Sequence, residues 1–177
     1  KRHLLPFGEY FPVPDLVRSW LQSMGLPNRD IQRGDTIQDM PQFNNILIAP
    51  SICYEDIFGS ELLGYFPEAN LLVNITNNAW FGKSFASEQH FQMSRMRAIE
   101  TGRYLLRATN TGVTAAIDPN GTVKERAESF EYSVLSGTFE PMIGSTPYIK
   151  YGNSLFFILM ILNLLLGYLW VKKKIKI

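Results

Sequence analysis

Two apolar runs near the middle of the chain, NILIAPSIC (residues 45–53) and ANLLVNIT (residues 69–76), are short and nearly unbroken. Runs of that length predict buried strands. The first ends at Cys53, beside the acidic pair Glu55 and Asp56. A helical stretch is predicted from Asp56 to Phe66, closed by Pro67. NNAWFGKS, after the second run, is a loop by composition. From Ser87 to Thr101 the pattern turns helical, with Phe91, Met96 and Ile99 on one face and Gly102 as the stop. RYLLRATN and GVTAAID read as strands, DPNG (118–121) as a hairpin turn into TVKERA, and YSVLSGTFE (132–140) as a further strand. Residues 1–45 are mostly loop, broken by an amphipathic helix at Asp15–Met24, where Leu16, Val17, Trp20, Leu21 and Met24 recur at helical spacing. The order strand, helix, strand, helix, then several strands predicts an α/β layered sandwich with mixed sheets. It excludes a parallel barrel, because the later strands have no helices between them.

The last apolar run differs in kind. LFFILMILNLLLGYLWV, Leu155 to Val171, is 17 residues without a charge, and only Asn163 is clearly polar. Tyr168 and Trp170 lie where an interfacial aromatic belt would be, and Lys172, Lys173, Lys174 and Lys176 follow. A core helix would keep a polar face, so this segment is expected to span a membrane. Basic residues favour the cytoplasmic side, which places residues 1–150 on the other. The chain divides accordingly into 1–150 and a membrane anchor, 151–177. Its opening, KRHLLPFGEYFP, has neither an initiator Met nor a leader, so a fragment of a longer polypeptide is expected.

Charge sharpens this division. Without the four terminal lysines, 13 Lys and Arg face 16 Asp and Glu, and no basic cluster remains for nucleic acid. At 177 residues the chain is long enough for a full core without staples. Arg95, Arg97, Arg103 and Arg107 read as solvated helix faces and ion pairs, with phospholipid headgroups as an alternative use.

The single cysteine is either an inert small hydrophobe or a reactive thiol. A strand end leading into a helix presents Cys53 at the sheet edge, where free backbone N–H groups favour a thiolate. Glu55 and Asp56 oppose that effect if they face the sulfur. A cysteine nucleophile needs a base, and the histidines are His3 and His90. Neither carries a cysteine-protease signature, which disfavours a Cys/His hydrolase. No spacing suits a metal site, and no glycines have phosphate-loop order.

Four segments carry a more specific signal. KRHLLPFGEY, ICYEDIFG, NITNNAWFGKS with QHFQMSRMRAIE, and LLRATNTGVTAAIDPNG resemble, in this order, segments of the apolipoprotein N-acyltransferases. Their parent group is the carbon–nitrogen hydrolases, or nitrilase superfamily. The likeness covers most of residues 1–153. It implies a nitrilase-like α-β-β-α sandwich, here partial, with a Glu-Lys-Cys triad. By the resemblance Cys53 is the nucleophile, Lys1 the triad lysine, Glu9 an accessory carboxylate positioning Lys1, and Glu55 a further acidic residue of the site. The backbone N–H of Tyr54 is assigned as an oxyanion donor beside Lys1. Trp80 and Phe81 are expected to border the lipid cleft, with a core aromatic as the alternative for Trp80.

The activity implied is transfer of a fatty acyl chain through a Cys53 thioester. The donor is a membrane phospholipid such as phosphatidylethanolamine, and the acceptor is the amine of a diacylglyceryl-cysteine apolipoprotein. No cofactor or metal is implied. The location implied is a bacterial inner membrane, with the catalytic part on the periplasmic side. The family's glutamate base has no matching position here, so residues 1–177 alone are expected to be inactive. A nitrilase-type amidase and a non-catalytic membrane-anchored module are the alternatives.

Overall fold

The computed structural model describes residues 1–25, 31–35 and 38–175. Six strands form one sheet in sequence order. A short hairpin pairs β1 (Gln42–Phe43) with β2 (Ile46–Ile52). Strand β2 runs parallel to β3 (Leu71–Thr76), and β3 parallel to β4 (Tyr104–Thr109). The strands β5 (Ala115–Ile117) and β6 (Val123–Arg126) then continue antiparallel around the DPNG turn. Both apolar runs thus lie side by side at the centre of a mixed sheet, each followed by a crossover, as parallel neighbours require.

Ahead of the sheet stands α1 (Asp15–Ser23), close to the range expected. Its apolar residues are not packed inward: Leu16 and Trp20 are 84% and 59% exposed. The segment after β2 is a correction. In place of one helix from Asp56 to Phe66, a 3-10 turn (Cys53–Ile57), the single turn α2 (Gly59–Leu62) and a second 3-10 turn (Leu63–Tyr65) succeed each other. A glycine stands at the break. Gly59 packs so closely on the Arg97 guanidinium that a Cβ there would collide with it, and glycine starts the single turn α2 at this contact.

Helix α3 (Ala86–Thr101) ends as expected, with Gly102 left-handed at φ 60°. Its buried face is His90, Phe91, Ser94, Ala98 and Thr101, whereas Met96 and Ile99 are 47% and 45% exposed. The expected apolar face is therefore wrong except at Phe91. The sheet beneath α3 presents Asn74 and Arg107, so the helix meets it with small and polar side chains.

The core joins Ala49, Leu62, Tyr65, Phe66, Leu72, Phe91, Leu105, Val113 and Ile117 on the α3 side of the sheet. On the other side Ile52 and Ile75 remain 43% and 61% exposed. The strand expected at 132–140 is absent: these residues join no ladder, and Tyr132 and Val134 are 99% and 77% exposed. An alternating pattern without a neighbouring surface to bury it gains nothing from pairing.

After α4 (Pro147–Tyr151) comes α5 (Ser154–Ile175), apolar on every side up to Val171, exposed from Ser154 to Lys174 and long enough to cross a membrane. Lys176 lies outside the described residues. The approach to α5 is fastened by Arg103. Its guanidinium donates to the carbonyls of Ala69, Thr101, Gly102, Pro67 and Gly144, at 2.7–3.3 Å. Thr146 caps α4 and donates to the Glu100 carbonyl at 2.5 Å.

Candidate active site

The last residue of β2, Ile52, leads directly into the 3-10 turn that starts at Cys53. Cys53 adopts φ +57°, a left-handed conformation that costs a non-glycine residue about 1–2 kcal/mol. The thiol is half-buried and free. A strained turn at a parallel strand's carboxyl end is a way of holding one side chain out at the sheet edge.

Two carboxylates bring Lys1 to this turn. Lys1 Nζ donates to both oxygens of Glu9, at 2.7 and 2.6 Å, and Glu9 also accepts the Leu5 amide at 2.7 Å. The ammonium lies 6.0 Å from the centre of the Tyr54 ring, the side chain next to Cys53. Glu55 completes the arrangement. One oxygen accepts the amides of Arg2 and His3, at 2.6 and 2.9 Å, and the other accepts the Ile52 amide at 2.7 Å. Glu55 is buried, and its carboxylate therefore joins the backbone that carries Lys1 to the backbone that carries Cys53. Lys1, held by Glu9, thus lies beside the Tyr54 ring, and Glu55 ties the Arg2–His3 segment to Ile52, the residue before Cys53.

Aromatic contacts lock the same junction. The His3 ring stacks on Phe58 at 3.9 Å and meets Tyr54 edge-on at 5.4 Å, while its Nδ1 is 3.1 Å from Glu61. Burial, then the charges of Tyr10, Glu61 and Glu9, push the Tyr54 phenol up from its usual range, so it stays protonated. His90 is also engaged elsewhere. Its Nε2 is 2.7 Å from Asp56 and its Nδ1 accepts from Arg107 at 3.1 Å, under the sheet. Both histidines are committed to structural partners, in agreement with the weak case for a Cys/His pair.

Loop 77–82 leaves the same sheet edge, because Ile52 and Ile75 are register partners. It forms a 3-10 turn at Ala79–Phe81, fixed where the Asn78 amide donates to Asn110 at 3.0 Å and the Asn78 side chain donates to Ser87 at 2.8 Å. Gly112 lies so near Asn78 that no Cβ would fit. Trp80 and Phe81 project from this base, 65% and 38% exposed, and Trp80 is not packed in the core of the described residues.

The arginines divide differently from the sequence expectation. Arg103 and Arg107 are buried, each 2% exposed. Arg97 donates to the Ile57 carbonyl and pairs with Glu100, and Arg95 donates to the Gly121 carbonyl and Gln92. These contacts are internal and leave the headgroup alternative without support. The sequence reading missed Asn74, Asp56, Ser94 and Arg107 as a group. A signal existed: Asn74 and Arg107 each interrupt a short apolar strand.

The family model described as carbon–nitrogen hydrolase matches residues 1–148. The chain is 47% identical over 167 residues to a protein of Nitrosomonas europaea named apolipoprotein N-acyltransferase, covering 94% of this chain and 34% of that protein. It is 50% identical over 153 residues to the protein of the same name from Methylococcus capsulatus, covering 86% and 30%. It spans about a third of the length of these curated relatives. Among solved structures, a mutant of the Nesterenkonia AN1 amidase from the nitrilase superfamily aligns with a TM-score of 0.47 at 16% identity, covering 57% of this chain and 41% of that one.

Proposed function

The chain belongs to the carbon–nitrogen hydrolase family, and from that premise we propose that it is the nucleophile-bearing part of an apolipoprotein N-acyltransferase. The observation that carries this reading is the three-amide grip of Glu55, which sets Lys1 beside the Cys53 turn. It is supported by relatives of that name at 47% and 50% identity.

In the proposed cycle a glutamate from outside residues 1–177 removes the Cys53 thiol proton. The thiolate attacks the ester carbonyl of a phospholipid such as phosphatidylethanolamine. The Lys1 ammonium and the Tyr54 N–H hold the tetrahedral oxyanion. The C–O bond then breaks, and the lysophospholipid leaves as an alcohol, taking the proton from the glutamate. In the second half the α-amine of a diacylglyceryl-cysteine apolipoprotein attacks the thioester. A C–N bond forms, the C–S bond breaks, and the amine's proton returns through the glutamate to sulfur. Splitting one acyl transfer in two avoids a direct attack of amine on ester.

Glu9 and Glu55 are placed to position rather than to transfer protons, since their oxygens are already taken by the Lys1 ammonium and backbone amides. Trp80 and Phe81 line the approach of the acyl chain in this scheme, helping to keep water from the thioester. The helix α5 anchors the protein in a bacterial inner membrane, with the site on the periplasmic side and the lysines on the other.

The test is mass spectrometry of the full-length protein after incubation with phosphatidylethanolamine vesicles. One hydroxylamine-sensitive fatty acyl group is expected on Cys53 and none in Cys53→Ala. An equally labile acyl group in Cys53→Ala would refute the assignment.

A further inference from the structure

Three neighbouring strands carry a polar residue in one row on the face covered by α3: Ser51 on β2, Asn74 on β3 and Arg107 on β4 are successive register partners. Two residues back along the strands the equivalent row is Ala49, Leu72 and Leu105. The polar row is fully buried, and the Arg107 side chain is 0% exposed. Burial pulls the Arg107 pKa down, against the opposing charge of Asp56. An apolar side chain would fill this position without desolvating a charge, so packing alone does not account for a guanidinium here.

Its hydrogen bonds give the reason, because all of them converge on one turn. Arg107 Nη1 donates to Asp56 at 3.1 Å and to Asn74 Oδ1 at 2.8 Å. Asn74 Nδ2 in turn donates to the Cys53 carbonyl at 3.0 Å and to Ser51 Oγ at 3.0 Å. Ser94 accepts from Nη1 at 2.5 Å, and its hydroxyl donates to Asp56. His90 accepts from Nη2 at 3.1 Å, which puts its own proton on Nε2, facing Asp56 Oδ1 at 2.7 Å. Asp56 is the fourth residue of the turn that begins at Cys53.

We propose that Arg107 is a positioning residue for the nucleophile: from beneath the sheet it holds the Cys53 carbonyl through Asn74 and the far side of the turn through Asp56, keeping Cys53 left-handed. The inference rests on Cys53 being the acylated residue. Lysine cannot replace arginine here, because one ammonium cannot span Asp56, Asn74 and His90 with the fixed geometry of a fork.

Asn74→Ala and Arg107→Lys in the full-length protein test the idea. Single-turnover acylation by phosphatidylethanolamine vesicles, KM for that lipid and the unfolding temperature are read on each. Asn74→Ala leaves the Arg107–Asp56 pair in place and decides the matter if Arg107→Lys does not fold. The expected result is an acylation rate at least about tenfold lower, with KM within about twofold of wild type, well below the unfolding temperature. Wild-type acylation in Asn74→Ala, or a loss matched by a rise in KM, would overturn the positioning role. Cys53→Ala is run alongside. If it still accumulates the labile acyl group, the nucleophile reading fails and this inference fails with it. If it does not, while Asn74→Ala acylates normally, only the positioning role is lost.

Discussion

Glu55 accepts the backbone amide of Arg2 at 2.6 Å across 53 residues of chain. Its contacts make it a clamp between two segments, not a proton carrier. In Glu55→Gln an NH2 group would face one of the amides it now accepts, donor against donor. The expected loss is about 1–3 kcal/mol of unfolding free energy in denaturant titration. Hydrogen exchange at the Arg2 and His3 amides should also accelerate. Unchanged protection at both amides would show that the clamp does not hold the Lys1 segment.

Trp80 rests on the surface, so its removal should separate folding from lipid binding. Trp80→Ala is expected to keep unfolding free energy within about 0.5 kcal/mol of wild type. KM for phosphatidylethanolamine should rise about tenfold, equivalent to about 1.4 kcal/mol of binding. A large drop in stability with unaltered KM would return Trp80 to a purely structural role.

Asp118 gives a pH-dependent contribution with a definite sign. Burial pushes its carboxyl up, but the amides of Thr122 and Asn120 and the Lys124 charge outweigh burial and leave it below its usual 3.8. Each amide lies 2.9 Å from Oδ1. A lowered carboxylate stabilises the fold fully above its ordinary value and loses that contribution as pH falls through the lowered one. Asp118→Ala should therefore cost about 1–2 kcal/mol at neutral pH. The gap to wild type should close in strong acid, as followed by denaturant titration at several pH values. A gap that stays constant down to acid would mean the charge is irrelevant to the turn.

The proposed sidedness rests on Lys172, Lys173 and Lys174 in the last turn of α5. In Lys174→Cys a membrane-impermeant maleimide is expected to react only after the inner membrane of spheroplasts is opened. Labelling of intact spheroplasts would reverse the orientation.

Much of this fold is legible in the order of residues because its signals are local. The runs ending at Cys53 and Thr76 became adjacent parallel strands, and Gly102 stopped α3 in the left-handed form that glycine permits. Asp118 to Gly121 formed the expected hairpin, and α5 the expected apolar helix. Other features are not local. Arg107 finds its partners 51, 33, 17 and 13 residues away, so its place in an apolar strand marks it as unusual while nothing near it in sequence names those partners. The segment from Asp56 to Phe66 packs against Arg97 of α3, which arrives later in the chain. Tyr132 and Val134 have strand-like alternation but no surface to bury them. At the site, the sequence placed Lys1, Glu9, Cys53 and Glu55 through resemblance. The grip of Glu55 on amides 53 and 52 residues away leaves no local trace in the sequence.

The five-carbonyl grip of Arg103 has a mechanical consequence. It sits at the start of β4, whereas Cys53 follows the far end of β2, and these strands run the same way. Six residues of strand, about 20 Å, separate the two ends. The contacts that root the segment leading into α5 therefore gather at one end of the parallel strands, and the left-handed Cys53 turn stands at the other.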